Sequence, residues 1–366
     1  MKTPSISTVL CSVIAAASAW GQDLDIELFA ERSLQPAGEF WGTVVGGISG
    51  VDYEPISKRW VMVSDGRGPN GPTRAYEFAV VLENDRLRKF QLLGKLPMNH
   101  GDGTGLDADL YDPEAVRLRP ARFFDGDDDG DPTLIWADEG VDGRPPAIYE
   151  ACMGATWMDQ WPAPDELVPT ETAGVRNNLG FESMAMLPSG DIIVATEDAL
   201  KQDGPRTTTL AGAQNVRLYH YDLSSPGTPP TRGWVYPLDP PPARLGPLAI
   251  AGLVELVALD DDTLLALERA YSPTGGTSSR VYRIELASDG DPLGVPSLSE
   301  SDVTPVEKTL LVDLADVRGV RPANYEGLAL GPELDDGRRL LVVVSDNNFD
   351  RMIPTRVVFL AASGLD

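Results

Sequence analysis

A short phrase that returns five times constrains the fold of this chain more than any other feature. Its copies recur at intervals of about 70 residues and centre on Gly50, Glu114, Glu182, Glu255 and Glu326. Each copy leads into an apolar run that ends in an acid, and these acids are Asp65, Asp138, Glu197, Glu268 and Asp346. Self-similarity at a fixed period is typical of repeat architectures, in which one supersecondary unit packs on the next.

Each repeat is predicted to fold as β-strands, because its segments are short, β-branched or aromatic, and bounded by Gly, Pro and Asp. Turn signals such as Pro188-Ser189-Gly190-Asp191 separate the first two segments and favour an antiparallel hairpin. Fourth strands are expected at 90–96, 233–238 and 308–314. Four antiparallel strands per repeat are typical of a propeller blade, so the sequence predicts an all-β, five-bladed β-propeller, with a sixth blade in 223–250 as the alternative.

The two ends of the chain are predicted to meet in one blade. The fifth repeat supplies only three strands before the sequence ends, whereas 24–30 alternates apolar and acidic residues and belongs to no repeat. We expect this segment to pair with the strand near 356–360 and close the ring, because a closed ring leaves no unpaired strand edges.

The first 21 residues are typical of a secretory signal peptide. Lys2 precedes the short apolar stretch 9–17, and Ala17-Ser18-Ala19 fits the small-residue rule for cleavage, with Ala19-Trp20-Gly21 as a second option. We therefore expect an exported protein, periplasmic or extracellular, with 22–366 as a single propeller domain and no membrane span. Only Cys152 would remain after cleavage, so no internal disulfide is expected, and we expect a monomer.

The formal net charge of −26 bears on possible partners. Nucleic acids and anionic membrane surfaces recruit basic patches, so neither is an expected partner. The many carboxylates suit hard cations instead. A small-molecule substrate that is itself anionic would need help from a metal ion or from local arginines.

Hairpin geometry predicts that the recurrent acids gather around the mouth of the central channel. The first strand of each repeat begins beside the end of the second, so the acids of the two strands become neighbours. The residues expected at this mouth are Asp65, Glu114, Asp138, Glu182, Glu197, Glu255, Glu268, Glu326 and Asp346. The arginines that begin the third strands, Arg74, Arg217, Arg280 and Arg356, are expected to reach the same mouth, so a ring of structural ion pairs stays an alternative.

The second repeat carries the signals for a metal site. It has Ala147 where the other repeats have Arg, a doubled acid at Asp138-Glu139, and the alternating carboxylates Asp125, Asp127 and Asp129 before Gly130. Alternate carboxylates followed by Gly match the first half of a calcium loop, although Trp136 stands where the closing Glu would be. We predict calcium in this loop or beside Glu114, Asp138 and Glu139; the alternative is a solvated acidic turn.

Several catalytic signatures are missing from the sequence. It holds only two histidines, His100 and His220, which excludes a His-rich zinc site. No Gly-x-Ser-x-Gly nucleophile motif occurs. Any hydrolysis would therefore rest on carboxylates, metal-bound water and arginine.

Three phrases resemble one known family. They are Ile48-Ser49-Gly50-Val51, Gly180-Phe181-Glu182-Ser183-Met184-Ala185, and Asn324-Tyr325-Glu326-Gly327-Leu328-Ala329 with the closing Ser345-Asp346-Asn347-Asn348-Phe349. They resemble the phytase-like domain family described as having esterase-like activity, which occurs mainly in exported bacterial proteins. The resemblance runs over about 46–349 and implies a propeller that hydrolyses phosphate or carboxylate esters.

Three functional hypotheses remain open. The first is a calcium-assisted ester hydrolase, with Arg67, Arg269 or Arg351 binding an anionic substrate. The second is a non-catalytic propeller that binds a ligand or partner. The third is a lactonase-like sugar hydrolase, since lactonase propellers also have acid-lined mouths. Loss of hydrolysis in a chelator would separate the first and third from the second.

Overall fold

The computed structural model describes residues 24–35, 38–66, 70–100, 102–107, 109–123, 126, 130–153, 157–286 and 290–365. The predicted signal peptide lies outside these residues. Within them the strands form five four-stranded antiparallel sheets and one small hairpin. No helix of the described residues is long and apolar enough to cross a membrane.

The strands follow the repeats in chain order. An opening strand β1 (Asp25–Leu34) and the small hairpin β2 (Glu39–Phe40) and β3 (Thr43–Val44) precede the first blade. Blade one is β4 (Ile48–Glu54), β5 (Arg59–Ser64), β6 (Arg74–Leu82) and β7 (Leu87–Pro97). Blade two is β8 (Pro113–Arg119), β9 (Thr133–Asp138), β10 (Ala147–Ala151) and β11 (Trp157–Pro162). Blade three is β12 (Phe181–Met186), β13 (Ile192–Thr196), β14 (Gln214–Tyr221) and β15 (Arg232–Leu238).

The last two blades complete the ring. Blade four is β16 (Ile250–Ala258), β17 (Thr263–Ser272), β18 (Gly276–Glu285) and β19 (Glu307–Asp313). Blade five is β20 (Asn324–Glu333), β21 (Arg339–Asp346) and β22 (Thr355–Ser363), joined by β1. Single-turn 3-10 helices occur at Ala121–Phe123, Asp165–Leu167, Ala243–Leu245 and Leu298–Glu300.

The prediction of a five-bladed propeller is confirmed. The innermost strands β4, β8, β12, β16 and β20 lie against one another around a central axis. The alternative of a sixth blade is wrong, because 223–250 contributes only β15, the outer strand of blade three, and one short 3-10 helix.

Ring closure by the N-terminal segment is confirmed as well. Strand β1 pairs antiparallel with β22, with Leu28 opposite Leu360 and Leu34 opposite Thr355. The last blade is thus built from both ends of the described chain, and the outer edge of β22 is covered.

The hydrophobic core consists of five large clusters, one between each pair of neighbouring blades. The cluster between blades three and four, for example, joins Leu218 and Tyr236 to Leu256 and Tyr282. Blades five and one share a cluster that includes Trp60 and Phe359. The remaining pairs of blades are joined in the same way. Burial of this apolar surface holds the blades side by side.

Two glycines allow the innermost strands to approach closely. A Cβ on Gly50 would lie 2.8 Å from the carbonyl oxygen of Glu114 in β8. A Cβ on Gly327 would lie 3.0 Å from the carbonyl oxygen of Ser49 in β4. These positions explain why the recurrent phrase contains glycine, and they keep the channel narrow.

Candidate functional site

A β-bulge interrupts the inner hairpin of every blade at the same point. Pairing between the first and second strands skips one residue in each blade, and the skipped residues are Ser49, Glu114, Glu182, Val254 and Glu326. A bulge of this kind redirects one side chain out of the regular alternation of the strand. The first strand of blades two, three and five therefore presents a glutamate at the channel mouth.

A second set of residues lies at the end of the second strand of each blade. Each of them directly follows the second-strand residue that pairs with the residue just before the bulge. Ile48 pairs with Ser64, for example, and Asp65 follows. The equivalent residues of the five blades are Asp65, Glu139, Glu197, Arg269 and Asp346. Blade four alone supplies a cation.

The two sets form what we call the acid cluster, namely Asp65, Glu114, Glu139, Glu182, Glu197, Glu326 and Asp346, with Arg269 among them. Two groups of three carboxylates are close enough to share a metal ion. In each group, one carboxylate oxygen of every residue lies within 4.8 Å of those of the other two. The groups are Asp112, Glu114 and Glu139, and Glu139, Glu182 and Glu197. Glu139 belongs to both, so the groups are contiguous.

Burial and mutual repulsion make ionisation of the cluster unfavourable. Burial raises the pKa of Glu114 well above its usual range, and Glu182 and Asp65 add to the shift. Burial also raises the pKa of Glu182, with Glu197 and Glu139 contributing. The pKa of Glu326 rises through burial to about 7, although Arg269 opposes the shift. Such carboxylates favour a nearby cation.

Two glutamates of the cluster have no partner within the part of the chain that the structure describes. Glu114 and Glu182 are only 7% and 6% exposed. Among the described residues, neither carboxylate has a hydrogen bond or an ion pair within 4 Å, and the charge of Arg269 acts on Glu182 only from beyond that distance. Buried charged groups are ordinarily paired or coordinate metals, so these two side chains are exceptional.

Arg269 is the cation that lies inside the cluster. Its Nη2 lies 3.1 Å from Glu197 Oε1 and 3.1 Å from Glu326 Oε1. Its Nε has no hydrogen-bond acceptor among the described residues. The one guanidinium thus pairs with two carboxylates, and its Nε–H group remains available to donate a further hydrogen bond.

The family comparison matches almost the whole propeller. Residues 43–349, which include all five bulges, match the family described as phytase-like, with esterase-like activity of phytase. The chain belongs to the phytase-like family. Comparison with curated protein sequences finds no match.

The closing phrase of this phytase-like propeller joins the last blade to the first. Asn347 Oδ1 accepts a hydrogen bond of 3.0 Å from the backbone N–H of Gly47. The ring of Phe349 lies 5.7 Å from the guanidinium of Arg74 in blade one. These contacts fasten the loop that follows Asp346 to the turn before β4, beside the acid cluster.

Several solved structures are similar to the phytase-like chain. The catalytic domain of the Coprinopsis cinerea GH62 α-L-arabinofuranosidase has 14% identity and a TM-score of 0.45, covering 92% of this chain and 98% of that one. A β-fructofuranosidase from Schwanniomyces occidentalis has 11% identity and a TM-score of 0.43, covering 90% of this chain and 58% of that one. Likeness of this degree is no evidence of a shared activity.

Three residues expected at the channel mouth point elsewhere. Glu255 lies one residue past the bulge and pairs with Arg117 at 2.8 Å, deeper in the channel. Glu268 accepts hydrogen bonds from Tyr236 at 2.8 Å and Lys308 at 2.6 Å. Asp138 accepts the backbone N–H of Asp112 at 2.7 Å and faces Arg144. Strand alternation turns these side chains away from the cluster.

The expectation about the third-strand arginines is wrong for three of them, while Arg74 lies beside Gly66 near the acid cluster but bonds to other groups. Arg217 pairs with Asp203 at 2.7 Å, Arg280 lies 3.6 Å from Asp313, and Arg356 pairs with Glu31. Arg74 donates to the carbonyl oxygens of Val44 and Pro72 and to Tyr76. Because these cations are engaged elsewhere, the acid cluster keeps an excess of negative charge.

The remaining predicted residues divide into two groups. Arg67, Asp125, Asp127 and Asp129 lie outside the described residues, so their predicted roles stay predictions. Arg351 is exposed in the loop between β21 and β22. Asp112 was not predicted to bind metal, although its position just before the Glu114 strand is the signal that could have indicated it.

Proposed function

We propose that this phytase-like protein is a metal-assisted hydrolase of phosphate or carboxylate esters. The observation that carries the proposal is the pair of buried, unpartnered glutamates, Glu114 and Glu182, inside a cluster of seven carboxylates at the channel mouth. Such an arrangement costs stability in the folded protein, and a bound divalent cation would remove most of that cost.

The donor set fits calcium. Carboxylate oxygens are hard ligands, and calcium takes six to eight oxygens in flexible geometry. Asp112, Glu114 and Glu139, or Glu139, Glu182 and Glu197, would supply the carboxylates, with waters and carbonyl oxygens completing the shell. A bound cation of this kind supplies Lewis acidity toward an ester oxygen and lowers the pKa of a bound water.

Residues of the chain itself would position the substrate and move the proton. Arg269 holds the only guanidinium of the acid cluster and would bind an anionic group of the substrate. Glu326 would accept a proton, since its pKa of about 7 matches the neutral range in which general bases work best. Asn324 donates a hydrogen bond of 2.9 Å to Glu326 and fixes its orientation.

A substrate panel with and without calcium tests the proposal. We expect wild-type protein to hydrolyse p-nitrophenyl phosphate or p-nitrophenyl butyrate in calcium and to lose the activity in EDTA. Glu182→Gln should remove the calcium-dependent rate, whereas Glu83→Gln, which changes an exposed acid, should leave it unchanged. Hydrolysis of a sugar lactone with neither p-nitrophenyl ester hydrolysed would favour the lactonase alternative instead, and no hydrolysis of any substrate would contradict catalysis.

We also propose export and a monomeric state. The proposal of export rests on the predicted signal peptide, and the proposal of a monomer rests on the closed ring, which leaves no edge of β22 for a second chain. Mass spectrometry of protein from the periplasm or medium should give a mature N-terminus at Trp20 or Gln22. Light scattering should give the mass of one chain. An intact N-terminus in the cytoplasm, or a dimer, would contradict the respective proposal.

A further inference from the structure

The far end of the central channel holds a second chamber, which we call the distal chamber. Its volume is about 490 Å³, and it lies where the five innermost strands end, opposite the acid cluster. Every blade contributes to its wall, through Tyr53, Phe123, Met186, Val257 and Leu330 among others. A chamber of this size can enclose a small organic molecule.

A buried ion pair separates the distal chamber from the acid cluster. The guanidinium of Arg117 in blade two lies 2.8 Å from Glu255 in blade four. It also donates to the carbonyl oxygens of Val51 and Leu256. The two charged side chains are only 3% and 0% exposed, and Arg117 lines the chamber whereas Glu255 does not. The distal chamber is therefore a site of its own.

The floor of the chamber carries one carboxylate that can face a ligand. Asp52 is half-buried; its Oδ2 accepts the Leu118 backbone N–H at 2.8 Å, and its carboxylate also accepts the backbone N–H of Tyr53. Arg117 attracts this carboxylate as well, although its guanidinium forms its ion pair with Glu255. Glu54 cannot take part, because both of its oxygens accept backbone N–H groups of Ile56 and Ser57.

The other charged residues lie at the rim of the chamber. Glu333 and Arg339 are register partners across the β20–β21 hairpin, and Arg339 donates to the carbonyl oxygen of Gly331 at 3.5 Å. Arg122 is exposed and lies over the ring of Phe123 at 4.7 Å. The interior below them is lined by aliphatic and aromatic side chains.

We propose that the distal chamber binds a small organic ammonium compound with an apolar body. The ammonium group would bind the Asp52 carboxylate, and the apolar body would lie against Tyr53, Phe123 and the aliphatic wall. A carboxylate at the base of an apolar, aromatic chamber suits such a ligand, because the aromatic faces attract the cation and the wall buries its body.

Calorimetry with tryptamine as the probe tests this inference on the whole protein in EDTA. We expect saturable binding of tryptamine and no binding of indole-3-propionate, which has the same ring and the opposite charge. Asp52→Asn should weaken tryptamine binding by about tenfold or more, because one charge-assisted hydrogen bond is lost. Glu182→Gln in the acid cluster should leave tryptamine binding unchanged.

A second variant keeps the test decisive if Asp52→Asn fails to fold. Ala258→Trp places an indole in the chamber from the end of β16, leaves Asp52 intact, and should abolish tryptamine binding. Absence of saturable tryptamine binding at millimolar concentration would overturn the inference. Tighter binding of indole-3-propionate, or unchanged binding in a folded Asp52→Asn variant, would do the same.

Discussion

Single residues decide the charge balance at the channel mouth. Glu114 and Glu182 are buried without partners, while Arg269 is shared between Glu197 and Glu326. The bulge position of blade four holds Val254, where three other blades hold a glutamate. Arg269 occupies the position at which the second strands of the other blades are followed by an acid. Blade four therefore supplies the one cationic side of an otherwise anionic cluster.

Removing Arg269 should be strongly destabilising. Arg269→Met would leave Glu197 and Glu326 as buried carboxylates without their cation, which typically costs about 3–5 kcal/mol. Urea unfolding in EDTA measures the loss, and adding Glu326→Gln to the variant should recover part of it. Arg318→Met, at an exposed arginine, is the matched control and should change little. A loss below about 1 kcal/mol for Arg269→Met would mean that the guanidinium does not hold the cluster together.

At the scale of strands and hairpins, the sequence predicts more of the fold than of the site. The repeat, the turn signals and the unassigned acidic segment were sufficient to predict five blades and the pairing of β1 with β22. The fourth strand of blade two, β11, was not predicted. The hydrophobic pattern indicates which segments are strands, because a strand that buries one face must carry apolar residues on that face.

Which residue of each strand lies at the channel mouth was harder to predict, because a bulge shifts this position by one residue. A bulge changes which neighbour points to the axis, so Val254 rather than Glu255 takes the bulge position in blade four. A signal was nevertheless present in the pairs Ser64-Asp65, Thr196-Glu197 and Ser345-Asp346. Aligning on the second member of each pair would have selected Glu139 and Arg269 in place of Asp138 and Glu268.

Strand β1 should be essential to the stability of the ring. Deleting 24–34 would expose the edge of β22 and leave Leu360 and Thr355 without their partners Leu28 and Leu34. We expect a sharply lower thermal midpoint and aggregation, because unpaired strand edges are templates for pairing with other chains. Removing only 1–21 is the control. A deletion variant as stable as this control would contradict closure of the ring by β1.

Over the whole molecule, the raised pKa values predict an unusual pH dependence of the metal-free protein. Burial raises the pKa of Glu326 to about 7 and that of Glu255 to about 7, whereas an unfolded glutamate titrates near 4.3. Between these values the folded state binds more protons than the unfolded state. Stability is therefore lost as pH rises through this window.

Thermal unfolding in EDTA at several pH values tests whether stability falls as pH rises. The midpoint should rise as pH falls from 8 to 5, and Glu182→Gln should flatten the profile because it removes one repelling carboxylate. Calcium should flatten it as well by favouring the ionised carboxylates. A midpoint that falls steadily from pH 8 to pH 5 in EDTA would contradict the assignment of raised pKa values.

Thermal unfolding in calcium and in EDTA tests most directly whether the acid cluster holds a divalent cation. A ligand at 100 times its Kd stabilises the folded state by about 2.7 kcal/mol, so calcium should raise the wild-type midpoint by several degrees. The double variant Glu114→Gln/Glu182→Gln should lose this shift, yet unfold at a higher temperature than wild type in EDTA, since two buried and repelling carboxylates are gone. Glu83→Gln should keep the full shift. No shift in the wild type, or the same shift in the double variant, would contradict a cation site in the acid cluster.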